Sequence, residues 1–272
     1  MSGASKGYAV SWRGGLCWFV PQGARDWTTA RIRAVWPHTG AAPALFASKT
    51  GDPLRKGYAL QSDRKIHMKI LCISDQVERM LYGPNLTSYA RGVEAVISCG
   101  DLPFDYLEYI VTFLGVPVYY VLGNHDPGPE GPEYPGGCTP LDGRVVEAEG
   151  EGGGVVLAGL SGSPLYSGGP NQYTERHMRR RARTLSVRIR CRSLVGRPKP
   201  EIFATHSPPF GLGDQDDMAH VGFESFVDLI DRHEPPLWLH GHVHLYGPDQ
   251  ERVRQKGDTK IVNVYGHRIL DV

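Results

Sequence analysis

Five short polar clusters each follow a run of apolar residues, and this placement constrains the fold more than any other feature of the chain. Ser74-Asp75-Gln76-Val77 comes after Met68-Lys69-Ile70-Leu71-Cys72-Ile73, a buried-strand pattern ending in a polar turn. The others are Gly100-Asp101, Gly123-Asn124-His125-Asp126, Thr205-His206-Ser207-Pro208-Pro209 and His240-Gly241-His242-Val243-His244. In α/β sheets the carboxyl ends of the strands line the ligand crevice, so five such tips would converge on one place. A single Gly-Asp is ordinarily a turn, and a lone histidine ordinarily a satisfied hydrogen-bonding residue. The joint placement carries the reading.

Between the tips the chain alternates. Strands are expected over 69–74, 94–98, 117–121, near 144–148, and over 154–160, 201–205, 236–240, 260–264 and 267–271. Helices are expected around 86–92 and over 104–114, about 173–194 and 220–233, with a long Gly/Pro loop at 127–143. This alternation predicts an α/β fold, and the terminal strand pairs without helices point to a second sheet. The 34 glycines and 21 prolines favour tight turns and functional loops over a helical bundle.

Lys+Arg 30 against Asp+Glu 29 leaves a formal net charge of +1, so bulk charge gives no argument for a polyanion-binding protein. The five cysteines are odd in number and scattered, without C-x-x-C spacing, which argues against a disulfide framework and a thiolate zinc site. A reducing cytoplasm fits best. No apolar stretch approaches the roughly 18 residues of a membrane span, and the N-terminus lacks the regions of a signal peptide. A soluble, cytoplasmic protein with no membrane partner is expected.

Residues 1–67 differ from the rest. They hold Trp12, Trp18, Trp27 and Trp36, ten Lys/Arg and three acidic residues, with no clear helical or strand period and one weak strand candidate at 15–20. They are expected to be a disordered extension or a mis-called start, with Met68 the initiator. The alternative is a small module that presents its tryptophans to a partner or a membrane surface.

Asp carboxylates, an Asn carbonyl and neutral imidazoles without thiolate form an oxygen and nitrogen ligand set suited to Mn²⁺, Fe or Zn²⁺. A carboxylate such as Asp101 can bridge two ions about 3.5 to 4 Å apart, a spacing that clamps a phosphoryl group. The order Asp75, Gly100-Asp101, Gly123-Asn124-His125-Asp126, His206, Gly241-His242-Val243-His244 resembles the calcineurin-like metallophosphoesterase superfamily over residues 68–272. The resemblance implies a four-layer αββα sandwich at 68–272, following the N-terminal extension at 1–67. It implies two divalent metal ions, Mn²⁺ first and Fe or Zn²⁺ as alternatives. Asp101 resembles the bridging ligand, Asn124, His206 and His242 the other ligands of the second metal, and Asp75 and His244 ligands of the first. His125 resembles the residue that stabilises or protonates the leaving oxygen without binding metal.

The activity so implied is hydrolysis of a phosphomonoester or phosphodiester, by metal-bound hydroxide, in a small phosphate-ester substrate. One position departs from the family pattern. Two residues after Asp75, where a His or Asn is usual, stands Val77, which cannot ligate; the first site is expected to be weak, with Glu78, Gln76 or water as substitutes. A nuclease of the same superfamily and a non-catalytic scaffold with a degraded metal site are the alternatives.

Asn171 is a candidate N-cap for the helix that follows it. Eight arginines from Arg176 to Arg192 form a basic ridge that is expected to pair with acidic neighbours rather than to bind nucleic acid. Gly162, Ser163, Gly168 and Gly169 make a turn-rich segment that either borders the site or is an ordinary loop, and His220, His233 and His267 are assigned structural roles. The oligomeric state is left open.

Overall fold

A computed structural model describes residues 8–13, 16–21, 68–128, 134–150, 153–247 and 251–272, the first two spans as backbone alone. In chain order the elements are β1 (Tyr8–Arg13), β2 (Leu16–Pro21), β3 (Lys69–Ser74), α1 (Leu86–Tyr89), β4 (Ala95–Ser98), α2 (Phe104–Leu114), β5 (Val118–Tyr120) and β6 (Cys138–Pro140). There follow β7 (Val145–Ala148), β8 (Val155–Leu160), β9 (Ser163–Pro164), β10 (Gln172–Tyr173), α3 (Glu175–Leu194), β11 (Ile202–Thr205) and α4 (Glu224–His233). The last four are β12 (Leu237–His240), β13 (Val253–Lys256), β14 (Thr259–Asn263) and β15 (Gly266–Asp271).

Among the described residues of 68–272, two larger sheets form. One runs β15-β3-β4-β5-β6 and the other β13-β14-β12-β11-β8-β7. β3, β4, β5 and β6 are parallel, as are β8, β11, β12 and β14, so their carboxyl ends lie at one edge of each sheet. β15, β7 and β13 pair antiparallel with β3, β8 and β14.

The side chains of β3 explain the layering. Successive residues of a strand face opposite sides. Ile70 and Cys72 enter a core shared with Ala204, Leu239 and Val262 of the other sheet, while Leu71 and Ile73 enter a second core with Leu86, Tyr106, Leu107 and Ile110 of α1 and α2. A third core sets Ala158, Phe203, Trp238 and Ile261 against Met178, Leu185 and Ile189 of α3 and Phe226, Leu229 and Ile230 of α4. Helices, sheet, sheet and helices therefore stack as the expected four-layer sandwich. Both faces of each central strand are buried, which is why these strands are apolar runs rather than alternating ones.

Several boundaries differ from the sequence expectation. The 127–143 loop contains β6, whose three residues extend an existing parallel edge. β13 was not expected because Val253-Arg254-Gln255-Lys256 carries one apolar residue; it forms by antiparallel pairing at the edge next to β14. The helix expected from 220 begins at Glu224, because Phe223 instead makes a bridge to Pro209. Asn171 is not the cap of α3. That position is Thr174, whose hydroxyl accepts from the His177 N–H at 3.3 Å, while Asn171 is buried under the candidate site.

In residues 1–67, β1 and β2 pair antiparallel, Arg13 opposite Leu16, and the candidate strand at 15–20 falls on β2. The expectation of a disordered extension otherwise lies outside the described residues. Among the described residues no helix is long and apolar enough to cross a membrane.

Candidate metal centre

The loops after β3, β4, β5, β11 and β12 bring the five polar clusters together. Asp101, His206 and His242 offer ligand atoms that all lie within 4.8 Å of one another. The Asn124 Oδ1 joins them, 2.9 Å from His206 Nε2, and the Asp101 Oδ2 lies 3.3 Å from the same nitrogen. Asp75 and His244 form an adjacent pair, Oδ1 to Nε2 3.7 Å, with Asp75 almost fully buried and His244 at the surface. His125 stands at the exposed rim and donates its backbone N–H to Asp101 Oδ1 at 2.8 Å.

Close backbone approach makes this possible. A Cβ on Gly123 would stand 2.0 Å from Asp101 Oδ1, and one on Gly241 would stand 1.9 Å from Ser74 Oγ and 2.4 Å from Asp75 Oδ2. Asp75, Asp101 and His242 all have positive φ, at 65°, 55° and 65°. Left-handed backbone is uncommon for non-glycine residues and clusters at functional sites.

The proton positions follow from the partners. His206 Nδ1 lies 2.8 Å from the Cys99 carbonyl, which can only accept, so Nδ1 carries a proton. His206 Nε2 then faces two oxygens, Asp101 Oδ2 and Asn124 Oδ1. A neutral ring would set a lone pair against both, an arrangement stabilised by a second ring proton or by a cation. His242 Nε2 lies 2.6 Å from the Ala219 carbonyl, so that nitrogen carries its proton and Nδ1 is the free donor atom. Asn124 Nδ2 donates to the Tyr166 hydroxyl at 3.0 Å, which leaves Oδ1 toward His206.

Charges are strongly coupled here. Burial opposes ionisation of Asp101, but the neighbouring His206 outweighs it and holds the carboxyl at about 2. Burial also opposes the charge on His206, and Asp101 raises it to about 9. Burial works against Asp75 too, yet the His244 hydrogen bond and the His206 charge leave it below the usual carboxylate range. His242 is pushed down to about 3 by burial and by His206. His244 is raised, chiefly by its hydrogen bond to Asp75. The donor set, two carboxylates, an amide oxygen and imidazoles with fixed lone pairs, fits divalent cations without thiolate.

Further residues support the site. Asp126 accepts from the N–H groups of Gly123 at 2.7 Å and Asp101 at 2.9 Å, and burial pushes its carboxyl up to about 6. Asn171 Nδ2 donates to the carbonyls of Gly123 at 3.0 Å and Asp126 at 3.2 Å, clamping the loop after β5. His220 lies with its ring 5.2 Å from that of His242, so it belongs to the site surroundings. Tyr246 donates or accepts at His244 Nδ1 at 2.8 Å, and Tyr265 packs on the His244 ring at 4.6 Å. No spacing in the sequence marks Tyr166, Asn171, Ala219 or Tyr246 for these contacts.

Val77 packs against the core under α1 and α2, away from a ligand role. Glu78 turns toward β15, with Oε1 3.5 Å from His267 Nδ1, and His267 Nε2 in turn meets the Tyr89 hydroxyl at 2.7 Å. Three of the eight arginines expected to form the α3 ridge pair with acidic side chains. Arg179 pairs with Glu175 and Glu224, Arg181 with Asp142 at 2.5 Å, and Arg192 with Glu147.

Comparison with curated proteins finds no match. Among solved structures, one crystal structure is 16% identical, covers 75% of this chain and 95% of its own, and superposes with a TM-score of 0.52. TT1561 of Thermus thermophilus is 16% identical over 74% of this chain and 90% of its own, at a TM-score of 0.47. GAP50, the anchor in the inner membrane complex of Plasmodium, is 12% identical over 73% and 71%, at 0.44. At 16% identity the first of these speaks to fold alone. The calcineurin-like phosphoesterase family model matches residues 68–246, the span that carries every proposed ligand, and the chain belongs to that family.

Proposed function

We propose that the chain is a metal-dependent phosphoesterase that hydrolyses a small phosphomonoester or phosphodiester. The carrying observation is the convergence of Asp101, Asn124, His206 and His242, with His206 Nε2 facing two side-chain oxygens while His206 Nδ1 and His242 Nε2 each donate to a backbone carbonyl. Asp101, Asn124, His206 and His242 would hold one divalent ion, and Asp75, His244 and the shared Asp101 a second, weaker one. Mn²⁺ is proposed before Fe or Zn²⁺ for this set of three oxygen donors and three imidazoles without thiolate. Bound divalent ions supply Lewis acidity toward phosphoryl oxygens and lower the pKa of water.

The remaining roles belong to the chain. His125, tethered by its backbone to Asp101 and exposed at the rim, stabilises or protonates the leaving oxygen. The buried surroundings of Asp101 and His206 strengthen their interactions with developing charge. The pairing of Arg179, Arg181 and Arg192 with acidic neighbours removes three charges from the α3 ridge and supports a small substrate over a nucleic acid. Cys72, Cys99, Cys138 and Cys191 are free, which supports a cytoplasmic setting.

One observation favours a second reading. Val77 is partly buried against the core under α1 and α2 and carries no donor atom, so a scaffold that uses the fold as a binding surface is the rival. Purified protein assayed for bound metal, and for p-nitrophenol release from mono- and diester substrates before and after chelation, separates the two. Release that is lost with chelator and restored by Mn²⁺ supports the enzyme; absence of release with any of the three metals refutes it.

A further inference from the structure

We infer that Asp217 is a positioning residue for His242: it pins a turn that presents the Ala219 carbonyl to His242 Nε2, leaving His242 Nδ1 as the metal-facing atom. The inference rests on the metal-dependent reading above and deepens it. A backbone carbonyl accepts and never donates, so the 2.6 Å contact fixes the ring proton on Nε2. Hydrogen bonds of this kind set both the tautomer and the ring orientation of metal-binding histidines.

The Ala219 carbonyl has no helix or strand to hold it, since residues 211–222 form turns and bends. Asp217 supplies the order instead. Its Oδ1 accepts from the N–H groups of Ala219 at 2.9 Å and His220 at 3.1 Å, and its backbone carbonyl accepts from Val221 N–H at 3.0 Å. Both carboxylate oxygens also lie 2.9 Å from His220 Nδ1, which fixes the imidazole that packs beside His242. One carboxylate thus holds the peptide whose carbonyl orients the ligand and the ring that lies against it. No metal-ligand spacing in the sequence marks the remote Asp217.

The test is Mn²⁺ binding to the full-length chain by isothermal titration calorimetry, with thermal melting as a check on folding. Asp217→Ala is expected to weaken Mn²⁺ binding about tenfold, the lower end of what loss of an outer hydrogen-bond partner costs. Asp217→Asn keeps an oxygen that accepts from Ala219 N–H and is expected to stay within about threefold of the parent. Imidazole ¹⁵N spectra of the metal-free parent should show His242 protonated on Nε2, and Asp217→Ala should lose that single tautomer. Parental Mn²⁺ affinity in a folded Asp217→Ala, an equal fall in both variants, or a parent His242 protonated on Nδ1 would overturn the inference. Where Asp217→Ala does not fold, a parent His242 protonated on Nδ1 still overturns the inference, and a fall of tenfold or more in a folded Asp217→Asn does so as well. Failure of the parent itself to bind Mn²⁺ would instead strike the metal-dependent reading, whereas binding by the parent with no effect of Asp217→Ala sinks only the positioning role.

Discussion

Gly123→Ala adds one methyl group at the point where the backbone approaches the proposed ligands most closely. The new Cβ would stand 2.0 Å from Asp101 Oδ1, 2.5 Å from its Cγ and 2.7 Å from His206 Cε1. Real Cβ contacts essentially never fall below 3.0 Å, so the carboxylate must move by at least about 1 Å. It has little room to do so. Oδ1 accepts from His125 N–H, Oδ2 faces His206, and the Asp101 N–H is bonded to Asp126. Overpacking of this kind costs about 1–3 kcal/mol of stability. Displacing a reacting group by 1 Å costs on the order of 100-fold in rate. The expected result is therefore a modest loss in urea denaturation, a fall in Mn²⁺ affinity of about tenfold or more by calorimetry, and a larger loss of ester hydrolysis. Gly83→Ala is the control: its nearest neighbour would be the Arg79 carbonyl at 3.6 Å, an ordinary contact, and its stability should change by less than about 0.5 kcal/mol. Parental Mn²⁺ affinity and turnover in Gly123→Ala would refute the site. A loss of stability alone would mean that the cluster is packing and not a metal centre.

His125→Ala should lower turnover about 100-fold with bound Mn²⁺ unchanged, while His206→Ala should lose the metal; equal metal loss in the two would make His125 a ligand instead. Val77→His should lose about 1 kcal/mol on denaturation and gain no Mn²⁺ affinity, because the partly buried side chain at position 77 packs against the core; tighter binding would show that the loop can turn it to the ion. His233, 2.9 Å from Ser186 Oγ, is pushed down to about 4 by burial and by Arg232, Lys199 and Arg190, so the unfolded chain takes up its proton first on acidification. Its contribution is full above the ordinary histidine range near 6.5 and is lost as pH falls toward 4, a slope that His233→Gln should lack; parallel stability curves for the two proteins would contradict the assignment. A chain starting at Met68 should melt cooperatively and bind Mn²⁺ as the full chain does, and aggregation or loss of binding would show that residues 1–67 contribute to the domain.

The parts of the fold legible in the sequence are those where burial is two-sided. Lys69-Ile70-Leu71-Cys72-Ile73-Ser74 reads as a strand because both of its faces need apolar side chains, and β8 and β12 read the same way. β13 does not, because an edge strand held by backbone pairing needs no apolar pattern. Asn171 resembles a helix cap because Asn commonly precedes helices, but its amide serves carbonyls 48 and 45 residues away. The proposed ligands are legible from their positions after strands. Their orienting partners are not, since the carbonyls of Cys99 and Ala219 belong to the backbone and carry no side-chain code.

The backbone at the site shows why those partners are needed. Asp75, Asp101 and His242 occupy left-handed conformations that cost a non-glycine residue about 1–2 kcal/mol each. Glycine would remove that cost, and the neighbours Gly100, Gly123 and Gly241 show that glycine is available beside them. Such conformations persist only where surrounding bonds over-determine them. Asp75 is held by two contacts from the His242 N–H, at 3.1 and 3.0 Å, Asp101 by Asp126, His125 and His206, and His242 by Ala219. Each strained residue is thus fixed through another member of the same cluster or through the turn that Asp217 organises. The strain and the bonds that oppose it converge on one point between the sheets, and the side chains placed there are carboxylates and imidazoles with their donor atoms turned inward. Positive φ alone does not mark a site, since Asn171 and Glu234 share it; what a divalent ion would use, on the reading proposed here, is the inward-facing carboxylate oxygens and imidazole lone pairs that these bonds hold in place.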